Sequence, residues 1–117
     1  MNSDAALSPR QIAARYFEMW NTGDSSIATK ILHSGWIDHA HPEVTGPHSV
    51  QQAVEQIRAA QPDLRFQTDA VLGDDDLVAV VGTVSRTAQD PTAHLVWLIR
   101  MKDGRMAEMW TYRDTSR

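Results

Sequence analysis

The chain contains no cysteine among its 117 residues. Disulfides, thiol nucleophiles and cysteine zinc sites are therefore excluded from its structure and chemistry. An excess of positive charge is missing too: eleven Lys and Arg stand against fifteen Asp and Glu, a formal net charge of −4, and the basic residues are scattered. Proteins that track nucleic acid or an anionic membrane surface usually carry a basic patch, so neither is expected as a partner. No apolar run approaches membrane-spanning length, and the first twenty residues lack the basic start and apolar core of a secretory leader. A cytoplasmic location follows as the expectation. Phenylalanine and tyrosine are sparse, two of each, whereas tryptophan occurs four times.

What is present reads as one domain over residues 8–117, preceded by a small, polar stretch, residues 1–7, expected to be disordered. A first helix begins at Ser8, followed by Pro9 at the first helical position and Gln11 in the place that closes a capping box. Ile12, Tyr16, Met19 and Trp20 recur at steps of three and four, and Asn21-Thr22-Gly23 stops the helix. A short second helix carries Ile27, Ile31 and Leu32, capped by Asp24 or Ser25 and ended by Ser34-Gly35. A short strand, Trp36 to Ala40, and a Pro/Gly loop through Gly46 come next. Pro47 opens a third helix with a buried stripe of Val50, Ala53, Val54, Ile57 and Ala60, and Pro62 ends it.

From Leu64 the period changes to that of strands. Leu64, Phe66 and Thr68 alternate with charged and polar residues; Gly73 to Asp76 turns the chain; Leu77 to Val84 is apolar and β-branched throughout, as in a strand buried on both faces. Thr87 to Pro91 forms a second turn, and residues 91–114 read as a hairpin around Asp103-Gly104. Helices first and about four antiparallel strands afterwards make an α+β pattern: a cone-shaped, curved antiparallel sheet with three N-terminal helices on its concave side. Such a cone offers a pocket for an apolar small molecule.

Within that frame four residues are candidates for acid–base work. Glu108 sits between Met106 and Trp110 and, by alternation, faces the same way as both. It either enters the pocket or pairs with an arginine such as Arg100 or Arg113. Whether His94 joins it depends on register. A two-residue turn pairs Met101 with Met106 and Trp97 with Trp110 and points His94 away from Glu108, whereas a three-residue loop bulged at Gly104 puts the two on one face. Asp38 and His39 are neighbours on the short strand, so only one of them faces inward; Trp36 shares the face of Asp38 and Ile37 that of His39. The histidines at 33, 39, 41 and 48 raise a metal site, but His48 would have to fold back from a helix start, and neither metal nor cofactor is expected. Tyr16 and Trp20, one turn apart, face the sheet as core or as pocket lining. The aromatics Trp36, Trp97, Trp110 and Tyr112 complete the candidate ligand-binding set.

Several stretches together carry a family resemblance: Tyr16-Phe17-x-x-Trp20-Asn21-x-Gly23-Asp24, Ile37-Asp38-His39, Gln61-Pro62-Asp63-Leu64-Arg65-Phe66, Gly73-Asp74-Asp75-Asp76-Leu77-Val78-Ala79, and Ile99-Arg100-Met101-x-Asp103-Gly104-Arg105-Met106-x-Glu108-x-Trp110. Over about residues 9–114 the chain resembles the SnoaL-like branch of the nuclear transport factor 2-like superfamily. The resemblance implies the cone-shaped α+β (cystatin-like) roll, a pocket in each subunit and, often, a homodimer through the sheet face. It also implies a choice of activities: aldol cyclisation of polyketides, ketosteroid-type isomerisation, epoxide hydrolysis, or none. In the isomerases an acid on the segment after the second helix acts as base, which points to Asp38. Many cyclases of this kind have a longer segment between the third and fourth sheet strands than Gly82 to His94 here, so the pocket is expected to be shorter and more open, or completed by a partner subunit. The expected activity is isomerase or lyase chemistry by proton transfer next to a carbonyl, the alternatives being a non-catalytic binding or dimerisation domain and, more remotely, an epoxide hydrolase.

Overall fold

The structure is a computed structural model and describes residues 7–73, 75–87 and 93–113. The expected disordered stretch, apart from Leu7, and the turn between Thr87 and Pro91, apart from Thr87 itself, lie outside the described residues.

Helix α1, Pro9–Thr22, starts as its sequence dictates. The Ser8 hydroxyl accepts from the Gln11 N–H at 3.2 Å, and the Gln11 amide oxygen accepts from the Ser8 N–H at 2.8 Å. Two otherwise orphaned donors of the first turn are thereby satisfied. A 3₁₀ turn, Ser25–Ile27, runs directly into a single turn of helix, α2, Ala28–Ile31. Strand β1, Leu32–Asp38, therefore begins earlier than expected and takes Leu32 from the helix. Helix α3, Gly46–Ala60, follows the loop; Val50 and Val54 are fully buried, Ala53 and Ile57 half-buried, and Ala60 is exposed, just past the packed face.

Strands β2, Arg65–Leu72, β3, Leu77–Ser85, β4, Ala93–Lys102, and β5, Arg105–Arg113, form an antiparallel meander. β1 adds to its far edge in parallel with β5, so the sheet has five strands in the order β1-β5-β4-β3-β2 and is mixed. β3 is not buried on both sides. Val78, Val80, Gly82 and Val84 are buried on the concave face, while Ala79, Val81, Thr83 and Ser85 are half-exposed on the convex one. The helices cover one face only, α1 against β2 and α3 against β1. Phe17, Trp36, Met19, Ile99 and Met106 fill the enclosed part of the cone.

Besides a register shift between Leu32 and Ile37 of β1 against β5, two irregularities shape the sheet. Between Thr68 and Ala70 of β2 the register with β3 shifts, leaving Asp69 as an extra residue. Here β2 comes so close over Gly82 that a Cβ on that residue would lie 2.1 Å from the Gln67 carbonyl oxygen. The second lies in the β4–β5 hairpin. Asp103 and Gly104 both have positive φ, 53° and 75°, as the two-residue turn of type I′ demands, and Met101 pairs with Met106. The next pair is Arg100 with Glu108, so Ala107 is a bulge.

Candidate functional site

That bulge resolves the register in a way neither simple turn anticipates. The loop has two residues, yet beyond Ala107 the pairing is shifted by one: Trp97 faces Thr111, and Leu98 faces Trp110. His94 consequently shares a face with Glu108, Trp110 and Tyr112, and it is the convex face, away from the helices. Glu108 does not share the face of Met106. Its Oε1 accepts from the Nε and Nη2 of Arg100, both at 2.7 Å, and its Oε2 lies 2.7 Å from His39 Nε2. His39 in turn stacks on Trp110, the rings 4.7 Å apart and 8° from parallel. The His39 hydrogen bond and then the Arg100 guanidinium hold the Glu108 carboxyl below the ordinary range. His39, Glu108, Arg100 and Trp110 thus form a polar cluster on the outside of the sheet. His94 and Tyr112 are exposed on the same side.

The concave side holds a cavity of about 450 Å³, within the range of small-molecule sites. Phe17, Phe66, Trp97, Leu95, Ile57 and Met109 supply most of its apolar wall. Four of the expected residues line it: Tyr16, Trp20, Asp38 and Trp97. Trp36 lies deeper. It is fully buried against Tyr16, ring centroids 5.9 Å apart, and its indole N–H has no hydrogen-bond partner among the described residues.

Asp38 stands at the end of β1, where the parallel pairing with Met109 turns its side chain inward and leaves Ile37 and His39 outward. It is only 7% exposed, alone among the described charged residues in being counted with the buried core. Its Oδ1 accepts from the Ala40 N–H at 3.0 Å, and its carbonyl accepts from the His41 N–H at 3.0 Å, a side-chain turn that fixes the carboxyl at the cavity wall. Burial pushes the Asp38 carboxyl above the usual range, against the pull of the Ala40 N–H and of His41.

Tyr16, one face of α1 inward, is buried beside it. Burial, and then the Asp38 charge, push its phenol far above the ordinary tyrosine value, while a hydrogen bond with the Trp20 side chain works the other way. The phenol therefore stays protonated, and its hydroxyl has a proton to donate. The pair offers one carboxyl whose hold on a proton burial strengthens and one phenol that keeps its proton.

The profile of the SnoaL-like domain matches residues 13–109, most of the chain. The chain belongs to the SnoaL-like family. Among solved structures, this SnoaL-like domain superposes on a cystatin-fold protein from Novosphingobium aromaticivorans with a TM-score of 0.79 at 12% identity, covering 92% of this chain and 100% of that one. TsrD from Streptomyces laurentii gives 0.73 at 19%, with 90% and 87% covered. A SnoaL-like polyketide cyclase from Agrobacterium tumefaciens gives 0.69 at 15%, with 89% of each chain covered. At such identities the likeness is one of fold. None of the curated proteins matches the sequence.

Sequence reasoning missed several residues on the cavity of this SnoaL-like domain: His41 and Glu43 in the loop after β1, Arg86 beyond β3, and Thr111 and Arg113 on β5. Arg86 was within reach, because alternation from Val80 through Gly82 and Val84 carries it inward. Thr111 and Arg113 were not, because their orientation depends on the Ala107 bulge. Among the described residues no group of three metal-ligating side chains converges.

Proposed function

We propose that this SnoaL-like domain is a small isomerase or lyase that moves a proton next to the carbonyl of an apolar molecule held in the cone. The observation that carries the reading is the Asp38–Tyr16 pair: a carboxyl raised by burial, beside a buried phenol that stays protonated, at the wall of an apolar cavity. Asp38, as carboxylate, takes the proton from the carbon next to the carbonyl. The electron pair moves into the carbonyl oxygen, which accepts a hydrogen bond from the Tyr16 hydroxyl. The enolate then either recovers the proton from Asp38 at another carbon, which is isomerisation, or attacks a second carbonyl, whose oxygen takes the proton back from Asp38, which is aldol closure. A cavity without an ionisable group would favour a purely binding domain, and Asp38 argues against that. Epoxide hydrolysis needs a second aspartate near an arginine, and among the described residues Asp38 is the one aspartate on the wall.

The test is deuterium exchange of 2-tetralone in D₂O, followed by proton NMR with and without protein. The wild type accelerates exchange; Asp38→Asn reduces the acceleration by about 10²–10⁴-fold and Tyr16→Phe by about 10²-fold. Acceleration that survives both substitutions would sink this assignment.

The convex face supports a homodimer as the second part of the reading. Leu77 and Tyr112 are 51% and 54% exposed there, beside half-exposed Val96, Leu98 and Trp110, a contiguous apolar surface of the kind that subunit contacts cover. Sedimentation at micromolar concentration gives twice the chain mass, and Tyr112→Glu shifts it toward the single chain. A wild type that sediments at the single-chain mass removes this part.

A further inference from the structure

The cavity wall carries charge of both signs. Asp38 stands at the end of β1, and Glu43, 3.8 Å from His41, in the loop after it. The two cations, Arg86 and Arg113, come from where β3 and β5 run out, further than Asp38 in the direction that β1, β3 and β5 share. Arg113 can be placed along the wall by register. Asp38 pairs with Met109, and Thr111 and Arg113 follow on the same inward face. Four residues of strand carry Arg113 about 13 Å from the Asp38 level. Between the two levels lie Thr111 and its partner Trp97. Arg86 spends one N–H on the Gln61 amide oxygen at 3.2 Å, which orients the guanidinium.

An apolar cavity with one buried acid needs no cation to hold a neutral ketone. Two arginines at the end remote from the acid fit a ligand of two unlike ends. From this we infer that the cavity takes an amphipathic acid: a molecule whose apolar body spans the cone, whose carbonyl end reaches Asp38, and whose anionic end, a carboxylate or a phosphate, is held by Arg86 and Arg113. Guanidinium groups pair with either oxyanion through parallel N–H···O bonds, and an apolar wall behind them weakens competition from water. The inference rests on the proposed site, but it concerns binding and stands apart from whether Asp38 moves a proton.

Matched probes test it. 4-(2-Naphthyl)butanoate and its primary amide share one body and differ in charge. Their binding is read from quenching of the cavity tryptophans Trp20 and Trp97. The wild type prefers the carboxylate by about tenfold, the value of one charge-assisted hydrogen-bonded contact. The preference shrinks between about 20 mM and about 0.5 M salt, as befits charges at a solvated rim. Replacing both arginines, Arg86→Gln with Arg113→Gln, removes the preference and leaves amide affinity unchanged, which also shows that the double variant is folded. 4-(2-Naphthyl)butyl phosphate, run alongside, separates the two anion classes by rank. Asp38→Asn keeps the preference, so loss of catalysis and loss of anion recognition are told apart. Equal affinity for acid and amide in the wild type, a preference that survives the double substitution, or no saturable binding of the carboxylate at all, overturns the inference.

Discussion

Asp38 and Glu108 are one residue out of step across the β1–β5 ladder, and that step puts them on opposite sides of the sheet. Asp38 pairs with Met109, and Ile37 pairs with Glu108. The inward acid lies in a desolvating wall and is pushed up; the outward acid lies between an imidazole and a guanidinium and is held down. Two carboxylates that look equivalent as candidates in the sequence are thereby given opposite surroundings.

Glu108→Gln tests what that difference means for the proposed activity. It leaves 2-tetralone exchange within about twofold, against the 10²–10⁴ expected of a general base. Its effect falls on acid stability. A carboxyl held low in the folded state stabilises above the unfolded value and loses that contribution as pH falls through the folded one. Wild-type stability therefore declines below about pH 4 by an increment that Glu108→Gln lacks, measurable by urea titration at a series of pH values. An identical acid limb in both proteins contradicts this.

Asp38→Asn behaves in the opposite sense. A carboxyl held high favours the folded state while protonated and loses that advantage as pH rises above about 4, the unfolded value, toward the folded one. Asparagine keeps an oxygen to accept from the Ala40 N–H. Relative to the wild type, the variant gains thermal stability on going from pH 4 to pH 8, even though its exchange activity is lost. A melting-temperature difference independent of pH would show that Asp38 is not strained by burial.

Asn21 ties the end of α1 to the sheet as a strand would. Its side-chain oxygen accepts from the Phe66 N–H at 2.8 Å, and its amide donates to the Phe66 carbonyl, also at 2.8 Å. Asn21→Ala leaves both backbone groups without partners and costs about 1–3 kcal/mol in urea unfolding. Because Phe66 lines the cavity beside Trp20, naphthyl probe affinity falls with it. A loss under about 0.5 kcal/mol means that water replaces both bonds.

Gly82→Ala tests how the sheet curves. The new methyl group meets backbone, the Gln67 carbonyl, and not the end of a flexible side chain. The strands must separate, at a cost at the upper end of about 1–3 kcal/mol for an overfilled core. Calorimetry showing an unchanged melting temperature would mean that β2 can slide freely over β3.

Local chemistry made the helices and turns legible. Ser8 and Gln11 announce α1, Pro47 and Pro62 frame α3, and Asp103-Gly104 marks the hairpin turn though not its length, because each acts on its immediate neighbours. Asp38 was legible as one of a pair, since strand alternation separates it from His39. What escaped was pairing between distant segments: the parallel docking of β1 on β5, and the bulges at Asp69 and Ala107. Nothing in Met106-Ala107-Glu108 marks a bulge; the fit of β5 between β4 and β1 imposes it. Trp110 and Tyr112 read as cavity lining because alternation from Met106 carries them inward, and the bulge reverses exactly that half of the strand.

The bulge also makes Ala107 a spare residue. Lys102 pairs with Arg105, Met101 with Met106, and Arg100 with Glu108. A chain one codon shorter at this point would close the hairpin as a regular ladder, with Glu108, Trp110 and Tyr112 still outward and Met109, Thr111 and Arg113 still inward. The hairpin can therefore change length by one residue without changing the wall that a ligand meets.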